Sequence, residues 1–255
     1  GNRMSQYRPY RVSNGVLQIP VEGALINGFD WHFPGLATGY GYIRRAFDRG
    51  MADPEVRALA FRIDSPGGAA AECFDLVDHL HAAKGAKPVR AFAETVCSAA
   101  YAIASAADHI TITRTSDVGS IGVVMAHLDA SARMDKEGFK ITFIYAGKHK
   151  VDGNAYEPLP DSVRAEWQAE VNELYSVFVA TVARNRGLDE QAVRATEART
   201  YLGAKAVSER LADAVGPLDD AVAAYAAELS HPQTGDREMS TKTPDNAAEP
   251  QAVAD

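Results

Sequence analysis

Cysteine is scarce in this sequence, which contains only Cys73 and Cys97. Their spacing matches neither a CxxC motif nor a metal site, so a reduced cytoplasmic protein is the simplest interpretation, with one buried disulfide as the alternative. The chain also lacks any apolar run near the roughly 18 residues of a membrane helix, and it does not open with a signal peptide pattern. We therefore expect neither a membrane-spanning segment nor a secretion signal.

Basic residues are outnumbered, since 26 lysines and arginines stand against 34 aspartates and glutamates, giving a formal net charge of −8. The basic residues are scattered and form no run, so nucleic acid is not an expected partner. Hydrophobic residues make up 46% of the 255 positions, which is enough for a substantial core in one large domain or two small ones.

Short apolar runs alternate with helical patterns over the first part of the chain. Strands are predicted at 16–23, 56–63, 88–93, 109–113 and 140–145, with a further candidate reaching residue 126. Helices are predicted at 40–50, 69–84, 98–105 and 128–137, the last ended by Gly138, with loops at 24–38 and 114–122. This alternation predicts an α/β fold with a mainly parallel sheet, in which functional loops follow the strand ends.

From Pro160 onward the pattern becomes helical. Apolar residues recur every three or four positions, which predicts one helix of about 25 residues; they are Val163, Trp167, Val171, Leu174, Phe178 and Val182. Asp189 is expected to cap a short second helix, and 203–210 and 219–229 predict two more. We interpret this region as a helical cover and an oligomer surface.

Three parts of the chain are distinguished by composition. Residues 1–15 are predicted to form an N-terminal arm, and residues 16–230 a single folded domain that is helical from about 160. Residues 231–255 contain no Leu, Ile, Phe, Tyr or Trp. Such a segment cannot bury enough surface to offset its ordering entropy, which predicts a disordered linker or tail.

Ser98 lies where a predicted strand turns into a helix of small residues. A helix N-terminus favours developing negative charge, so this position suits a serine nucleophile, although an ordinary N-cap is the alternative. The Ser65-Pro66-Gly67-Gly68 turn can offer free backbone N–H groups to an oxyanion, while many such turns are only structural.

Two lysines, Lys148 and Lys150, flank His149 in a loop after the predicted strand 140–145. A lysine in a partly apolar cleft loses its proton more readily and can then accept one from a serine hydroxyl. The spacing leaves both lysines open as the base, and His149 is interpreted as structural. A cysteine peptidase built on Cys97 and a histidine is the weaker alternative.

Four motifs in this order resemble the serine–lysine peptidase family of bacterial signal peptide peptidase A, which has a ClpP/crotonase-like fold. They are Arg62-Ile-Asp-Ser-Pro-Gly-Gly68, Cys97-Ser-Ala-Ala-Tyr101, Asp117-Val-Gly-Ser-Ile-Gly-Val123 and Ala146-Gly-Lys-His-Lys-Val-Asp-Gly-Asn-Ala-Tyr156. The resemblance extends from about Val16 to about Tyr225. The last motif looks like the branch formed by head maturation proteases of tailed phages such as lambda.

The resemblance implies a catalytic Ser–Lys dyad. It makes Ser98 the nucleophile, Lys150 the general base in preference to Lys148, and Ser120 the residue that holds the lysine by a hydrogen bond. No cofactor or metal is implied.

The resemblance also implies an oxyanion hole made by the backbone N–H groups of Ala99 and of Gly67 or Gly68. Cellular members usually have glycine after the nucleophile, whereas this chain has Ala99-Ala100. Because a backbone N–H serves equally well, the departure affects the room for substrate near Ser98 rather than activity.

The expected function is a homo-oligomeric serine endopeptidase that processes proteins during phage head maturation, inside the procapsid in the host cytoplasm. The implied substrates are the scaffold, the enzyme's own C-terminal tail and the portal among the capsid proteins. In this branch the protease is commonly fused to a scaffolding protein that is also made from an internal start. Met239 is a candidate for that start, with a chance methionine in a linker as the alternative.

Three other functions stay open at this stage. A bacterial signal-peptide or membrane-protein peptidase of the same family is the nearest, although this chain shows no membrane segment. A non-catalytic ClpP-fold assembly factor would not need Ser98, Ser120 and Lys150 together. A crotonase-type acyl-CoA enzyme shares the fold but does not require the serine–lysine pair.

Overall fold

The computed structural model describes residues 11–230. The strands in this range are β1 (Arg11–Ser13), β2 (Val16–Ile26), β3 (His32–Phe33), β4 (Ala37–Gly39), β5 (Ala58–Gly68), β6 (Val89–Cys97), β7 (His109–Gly119), β8 (Thr200–Leu202) and β9 (Ala214–Val215). The helices are α1 (Tyr40–Ala52), α2 (Cys73–Ala82), α3 (Ala99–Ser105), α4 (Ser131–Glu137), α5 (Asp161–Arg186), α6 (Glu190–Ala195), α7 (Gly203–Ser208) and α8 (Leu218–Ser230).

All of these strands belong to one sheet in the order β3-β4-β2-β5-β6-β7-β8, with β1 beside β2 and β9 beside β7. From β4 through β2, β5 and β6 to β7 the neighbours are parallel, whereas β1, β3 and β8 are antiparallel additions. The predicted α/β fold with a mainly parallel sheet is therefore confirmed. The carboxyl ends of β5, β6 and β7 lie side by side at one edge of the sheet, where functional loops gather in such folds.

Helices pack against both faces of the sheet. On one face α1, α2 and α3 join a large apolar cluster that includes Leu17 of β2. On the other face α8 places the Tyr225 ring 6.0 Å from the Phe92 ring, in a smaller cluster that includes Val16. Successive strand residues point to opposite faces, which is why Val16 and Leu17 belong to different clusters.

The predicted helices are present, with shifted ends. The αL backbone of Gly138 (φ 76°) ends α4, and the Asp189 carboxylate accepts the Gln191 N–H at 2.7 Å to cap α6. Helix α2 is shorter than the predicted 69–84. Helix α5 is as long as predicted, but its apolar stripe is buried mainly in the C-terminal half, around Phe178 and Val182.

The central strands run further toward the functional edge than the sequence predicted. The expected loops at 24–38 and 114–122 are partly strand, and Ser65–Gly68 ends β5 instead of forming a separate turn. Neighbouring strands supply backbone partners on both sides, so glycine- and serine-rich sequence stays extended there. Where the β6–β7 register shifts, the Ser116 hydroxyl accepts the Thr113 N–H and donates to the Ala93 carbonyl.

The predicted strands at 122–126 and 140–145 were wrong as statements about the single chain. Neither segment pairs with another strand of the described range, and their aliphatic side chains are exposed, except for that of half-buried Val123. Val124 is 90% exposed and Ile144 is 98% exposed. A strand without a hydrogen-bonded neighbour has little stability of its own, which explains why strand-like sequence is irregular here.

Some predictions concern residues at the ends of the chain. Residues 11–13 of the predicted arm form β1, which pairs with β2, while residues 1–10 lie outside the described range. The predicted tail 231–255, with Met239, also lies outside it. Between residues 11 and 230, no helix has both the length and the apolar character needed to cross a membrane.

Candidate active site

Ser98 lies at the junction of β6 and α3, in a backbone conformation that serine rarely adopts. Its φ is 53° and its ψ is −126°, and although it occupies the N-cap position its side chain does not cap the helix. Its own N–H donates to the Gly119 carbonyl at 2.9 Å, and its carbonyl accepts the Ala102 N–H at 3.1 Å. The backbone is held from both sides while the hydroxyl is left out of the capping role, so the ordinary N-cap interpretation was wrong.

Gly67, at the end of β5, packs directly against Ser98. A Cβ placed on Gly67 would lie 2.7 Å from the Ser98 Cβ and 3.0 Å from the Ala99 nitrogen, and the φ of Gly67 is +105°. The Ser65 hydroxyl fixes this strand end, because it donates to the Gly23 carbonyl at 2.6 Å and accepts the Gly67 N–H at 3.1 Å. Only glycine permits this approach between the strand end and the serine.

A cavity of about 230 Å³ opens beside Ser98. It is lined mainly by small and apolar residues, namely Gly68, Ala69, Ala70, Cys73, Phe74, Ala99, Gly122, Val123, Val124 and Phe178. Burial raises the pKa of the Cys73 thiol to about 12, so the cavity wall carries no charge there at neutral pH. This space can accept an apolar side chain of a bound peptide next to the serine.

Ser120 follows directly after β7 and is half-buried. Its φ is 52°, and its N–H donates to the Arg199 carbonyl at 3.0 Å. Because Gly119, the residue before it, holds the Ser98 N–H, the backbones of the two predicted site serines are linked through one strand end. Sequence reasoning placed Ser65 and Gly119 in motifs without giving them a role. It missed Arg199, for which the sequence carries no signal because the residue acts through its backbone carbonyl.

Lys150 lies in a turn-rich loop where Lys148, His149 and Lys150 are all exposed. The Lys150 N–H donates to the Gly147 carbonyl at 3.1 Å, and Lys150 is not among the residues that line the cavity beside Ser98. The loop rests on α5, because a Cβ on Gly153 would lie 2.1 Å from the Trp167 ring. One chain therefore brings together Ser98, Ala99 and the glycines of β5, with Ser120 on the adjoining strand end, but not the predicted lysine.

The structure gives no support to a cysteine nucleophile. Burial and the nearby Asp117 carboxylate raise the pKa of the Cys97 thiol to about 11, so the thiolate is rare at neutral pH. The Cys97 thiol donates to the Asp117 carbonyl oxygen at 3.6 Å.

Two side chains of the loop that carries Lys148 and Lys150, together with one side chain of α5, could ligate a metal ion. One donor atom each of His149, Asp152 and Glu166 lies within 4.8 Å of the others. The His149 Nδ1 and an Asp152 carboxylate oxygen are already hydrogen-bonded at 2.7 Å. We interpret this pair as a stabilising contact of the loop, in agreement with the structural role expected for His149.

The sequence is similar to known peptidases and phage proteins. Residues 81–231 match peptidase family S49. The head-tail preconnector protein GP5 of Enterobacteria phage P21 is 40% identical over 250 residues, covering 96% of this chain and 50% of that protein. The capsid assembly protease C of Escherichia phage lambda is 40% identical over 220 residues, covering 85% of this chain and 50% of that protein.

Cellular proteins are also similar, among them protease 4 of Haemophilus influenzae, which is 28% identical over 217 residues, or 84% of this chain and 34% of that protein. The chain belongs to peptidase family S49, the family of the signal peptide peptidases, and its resemblance to that family is confirmed. It spans about half the length of the phage relatives that it matches.

Proposed function

We propose that this protein is a serine endopeptidase with a Ser98–Lys150 dyad. Ser98 attacks the scissile carbonyl, Lys150 accepts the hydroxyl proton and later delivers it to the leaving amine, and Ser120 orients the lysine. The observation that carries the proposal is the backbone of Ser98. A left-handed serine that does not cap its helix, fixed against Gly67 beside an apolar cavity, has no evident structural use.

The oxyanion would form against two backbone N–H groups. Ala99 is the first residue of α3, so its N–H has no acceptor inside the helix and points toward the serine end. Of the two candidate glycines, Gly67 already donates to Ser65, whereas Gly68 lines the cavity together with Ser98 and Ala99. We therefore assign the second donor to Gly68.

The cavity beside Ser98 supports a preference for substrates with a small or medium apolar residue before the cut. Its volume of about 230 Å³ leaves room for such a side chain, and the rings of Phe74 and Phe178, 5.5 Å apart, form part of its lining. Charged side chains would lose hydration there without gaining a partner, which costs several kcal/mol.

Lys150 would reach Ser98 from a second copy of the chain. Residues 122–126 and 140–145 have strand-like sequence without a strand partner, and the lysine loop follows the second of them. This part of the chain exposes large apolar side chains to solvent, between 60% and 98% of each, namely Val124, Leu128, Phe139 and Ile144. Exposed apolar surface of this kind is typical of an interaction site. Packing this segment on a neighbouring copy would bury these side chains and bring the lysine to the serine of that copy.

The biological role follows from the phage relatives. One is named a capsid assembly protease and another a head-tail preconnector protein. We propose that this chain acts in the same process, cleaving the scaffold, its own C-terminal tail and the portal inside a procapsid in the host cytoplasm. Met239, which lies outside the described residues, stays the candidate internal start of a scaffold.

The experiment that tests the dyad uses two inactive variants. Ser98→Ala and Lys150→Ala are co-expressed with the neighbouring capsid genes, singly and mixed, and processing is followed by intact mass. We expect each single variant to leave the substrates uncut, and the mixture to recover part of the wild-type processing, because some sites combine an intact Ser98 with an intact Lys150. Processing by both single variants at the wild-type level would overturn the dyad, because either the site assignment is then wrong or the chain is a non-catalytic assembly factor. Activity absent from the mixture would place both groups on one chain.

A further inference from the structure

A short connection from the C-terminal helical region lies against the serine edge of the sheet. We call residues 196–202 the strap; they link α6 to α7 and include β8. Strand β8 pairs antiparallel with the end of β7, where Asp117, Val118 and Gly119 oppose Leu202, Tyr201 and Thr200. The strap therefore adds a strand to the sheet beside the carboxyl end of β7, although no predicted site residue lies in the strap.

The first turn of the strap has an unusual backbone. Glu197 (φ 48°) and Ala198 (φ 56°) are consecutive left-handed residues, and neither is glycine. Such residues cost free energy and persist where the surroundings fix them. Buried Thr196 anchors the turn, since its hydroxyl donates to the Val193 carbonyl at 2.7 Å and its carbonyl accepts the Arg199 N–H at 2.9 Å.

Three successive contacts join this turn to the site. A Cβ on Gly119 would lie 2.7 Å from the Arg199 carbonyl oxygen, and that same oxygen accepts the Ser120 N–H at 3.0 Å. A Cβ on Gly122 would lie 2.6 Å from the Ala198 Cβ. The strap thus touches the residue that holds the Ser98 backbone, the residue expected to orient the lysine, and a residue of the cavity wall.

We propose that Ala198 and Arg199 are positioning residues of the peptidase site, and that the Ala198–Gly122 contact sets the placement of residues 119–122 relative to Ser98. The proposal rests on the proposed function. The left-handed turn aims the Arg199 carbonyl and the Ala198 methyl group at the same strand end, so a shift in the strap moves Gly119, Ser120 and the cavity wall together. Catalysis is sensitive to such shifts, since reacting groups must be held within a fraction of an ångström.

The test adds one methyl group and then removes its counterpart. Gly122→Ala creates the close contact with Ala198, and the double variant Gly122→Ala/Ala198→Gly relieves it. Gly216→Ala is the matched control, because a Cβ there meets no atom within 4 Å. Each protein is assayed as an assembled full chain with an internally quenched peptide that carries leucine before the scissile bond, and its thermal unfolding is measured in parallel.

We expect Gly122→Ala to lower kcat at least tenfold with KM changed less than threefold, and the double variant to return kcat to within threefold of wild type. Gly216→Ala should match wild type. Full activity in Gly122→Ala, or a double variant as impaired as the single one, would overturn the proposal.

A second substitution covers the case in which Gly122→Ala fails to fold. Ala198→Ser adds one atom on the opposite side of the same contact, and we expect a loss of kcat of about threefold without a change in KM. An unchanged kcat in a folded Ala198→Ser protein would contradict the proposal. Failure of the proposed function gives a different result, because wild type and Ser98→Ala would then cleave the peptide equally, whatever the strap does.

Discussion

The two halves of the proposed dyad lie in regions of opposite character. Ser98 belongs to a strand end that is fixed by Gly119, Ser65 and the close approach of Gly67. Lys150 belongs to a segment without strand partners, whose aliphatic side chains are exposed. If the proposed roles hold, the single chain positions the nucleophile and the oxyanion donors, while the base depends on contacts with a second copy. Under the proposed function, this difference would keep the enzyme inactive until copies assemble.

This contrast between the two regions would be contradicted most directly if activity did not require the exposed Lys150. We expect Lys150→Ala to lower the peptidase rate by at least about 10³-fold, because removing one member of a catalytic unit costs nearly as much as removing all. Lys148→Ala, two residues away and equally exposed, should stay within about threefold of wild type. Initial rates on the quenched peptide measure both, and the reverse ranking would move the base to Lys148.

At the fixed strand end around Ser98, by contrast, one added methyl group should lower both activity and stability. Gly67→Ala places a Cβ 2.7 Å from the Ser98 Cβ at a φ of +105°, so the serine must move or the strand end must open. We expect a loss of activity of about 100-fold or more and a decrease in the free energy of unfolding of about 2 kcal/mol. Gly85→Ala is a useful comparison, since its φ is also positive (+88°) but nothing lies within 4 Å. Equal effects at the two glycines would mean that backbone strain, and not contact with Ser98, is responsible.

The same contrast explains what the sequence could predict. The sheet, the helices and the serine at a strand–helix junction follow from local periodicity and from the turn residues, because their partners are supplied by the chain itself. The predicted strands 122–126 and 140–145 failed since a strand needs a neighbour, and periodicity does not say whether that neighbour belongs to the same chain. The role of Arg199 was not predictable because a backbone carbonyl leaves no trace in residue identity. Gly119 stood in a quoted motif, but its positive φ of 122° and its close approach to the Arg199 carbonyl became apparent only in the structure.

Away from the functional edge, a substitution at the other end of β7 should lower stability without affecting activity. Burial would raise the pKa of the Asp213 carboxyl, but hydrogen bonds from Arg186 and from the Ile110 N–H more than offset this, so the pKa lies below its ordinary 3.8. The ion pair between Arg186 and Asp213 therefore stabilises the fold above pH 3.8. This stabilisation is lost as the pH falls through the lowered pKa of Asp213.

We expect Asp213→Asn to lower the free energy of unfolding by about 2 kcal/mol at pH 7, since the nearly buried Arg186 guanidinium loses its charged partner. Chemical denaturation at pH 7 and at pH 3 measures the effect, and the difference between wild type and variant should shrink at the lower pH. Peptidase activity of the folded variant should be unchanged. A difference that grows on acidification would contradict the assignment of the lowered pKa.

The smallest effect on the stability of the single chain is expected for Ile144, the most exposed side chain of the segment before Lys150. Ile144 is 98% exposed, so Ile144→Ser should change the free energy of unfolding of one chain by less than about 0.5 kcal/mol. If a neighbouring copy covers this side chain, the same substitution removes roughly 1.5–3 kcal/mol of apolar burial at the interface, about a tenfold or larger loss of assembly. Sedimentation velocity and peptidase activity across a dilution series measure both quantities.

Val177→Ser, on the exposed side of α5 at 42% exposure, is the matched control. If both substitutions weaken assembly equally, the cause is a general loss of surface hydrophobicity. If only Ile144→Ser weakens assembly, and activity falls in parallel, then the segment before Lys150 forms the contact between copies that completes the site.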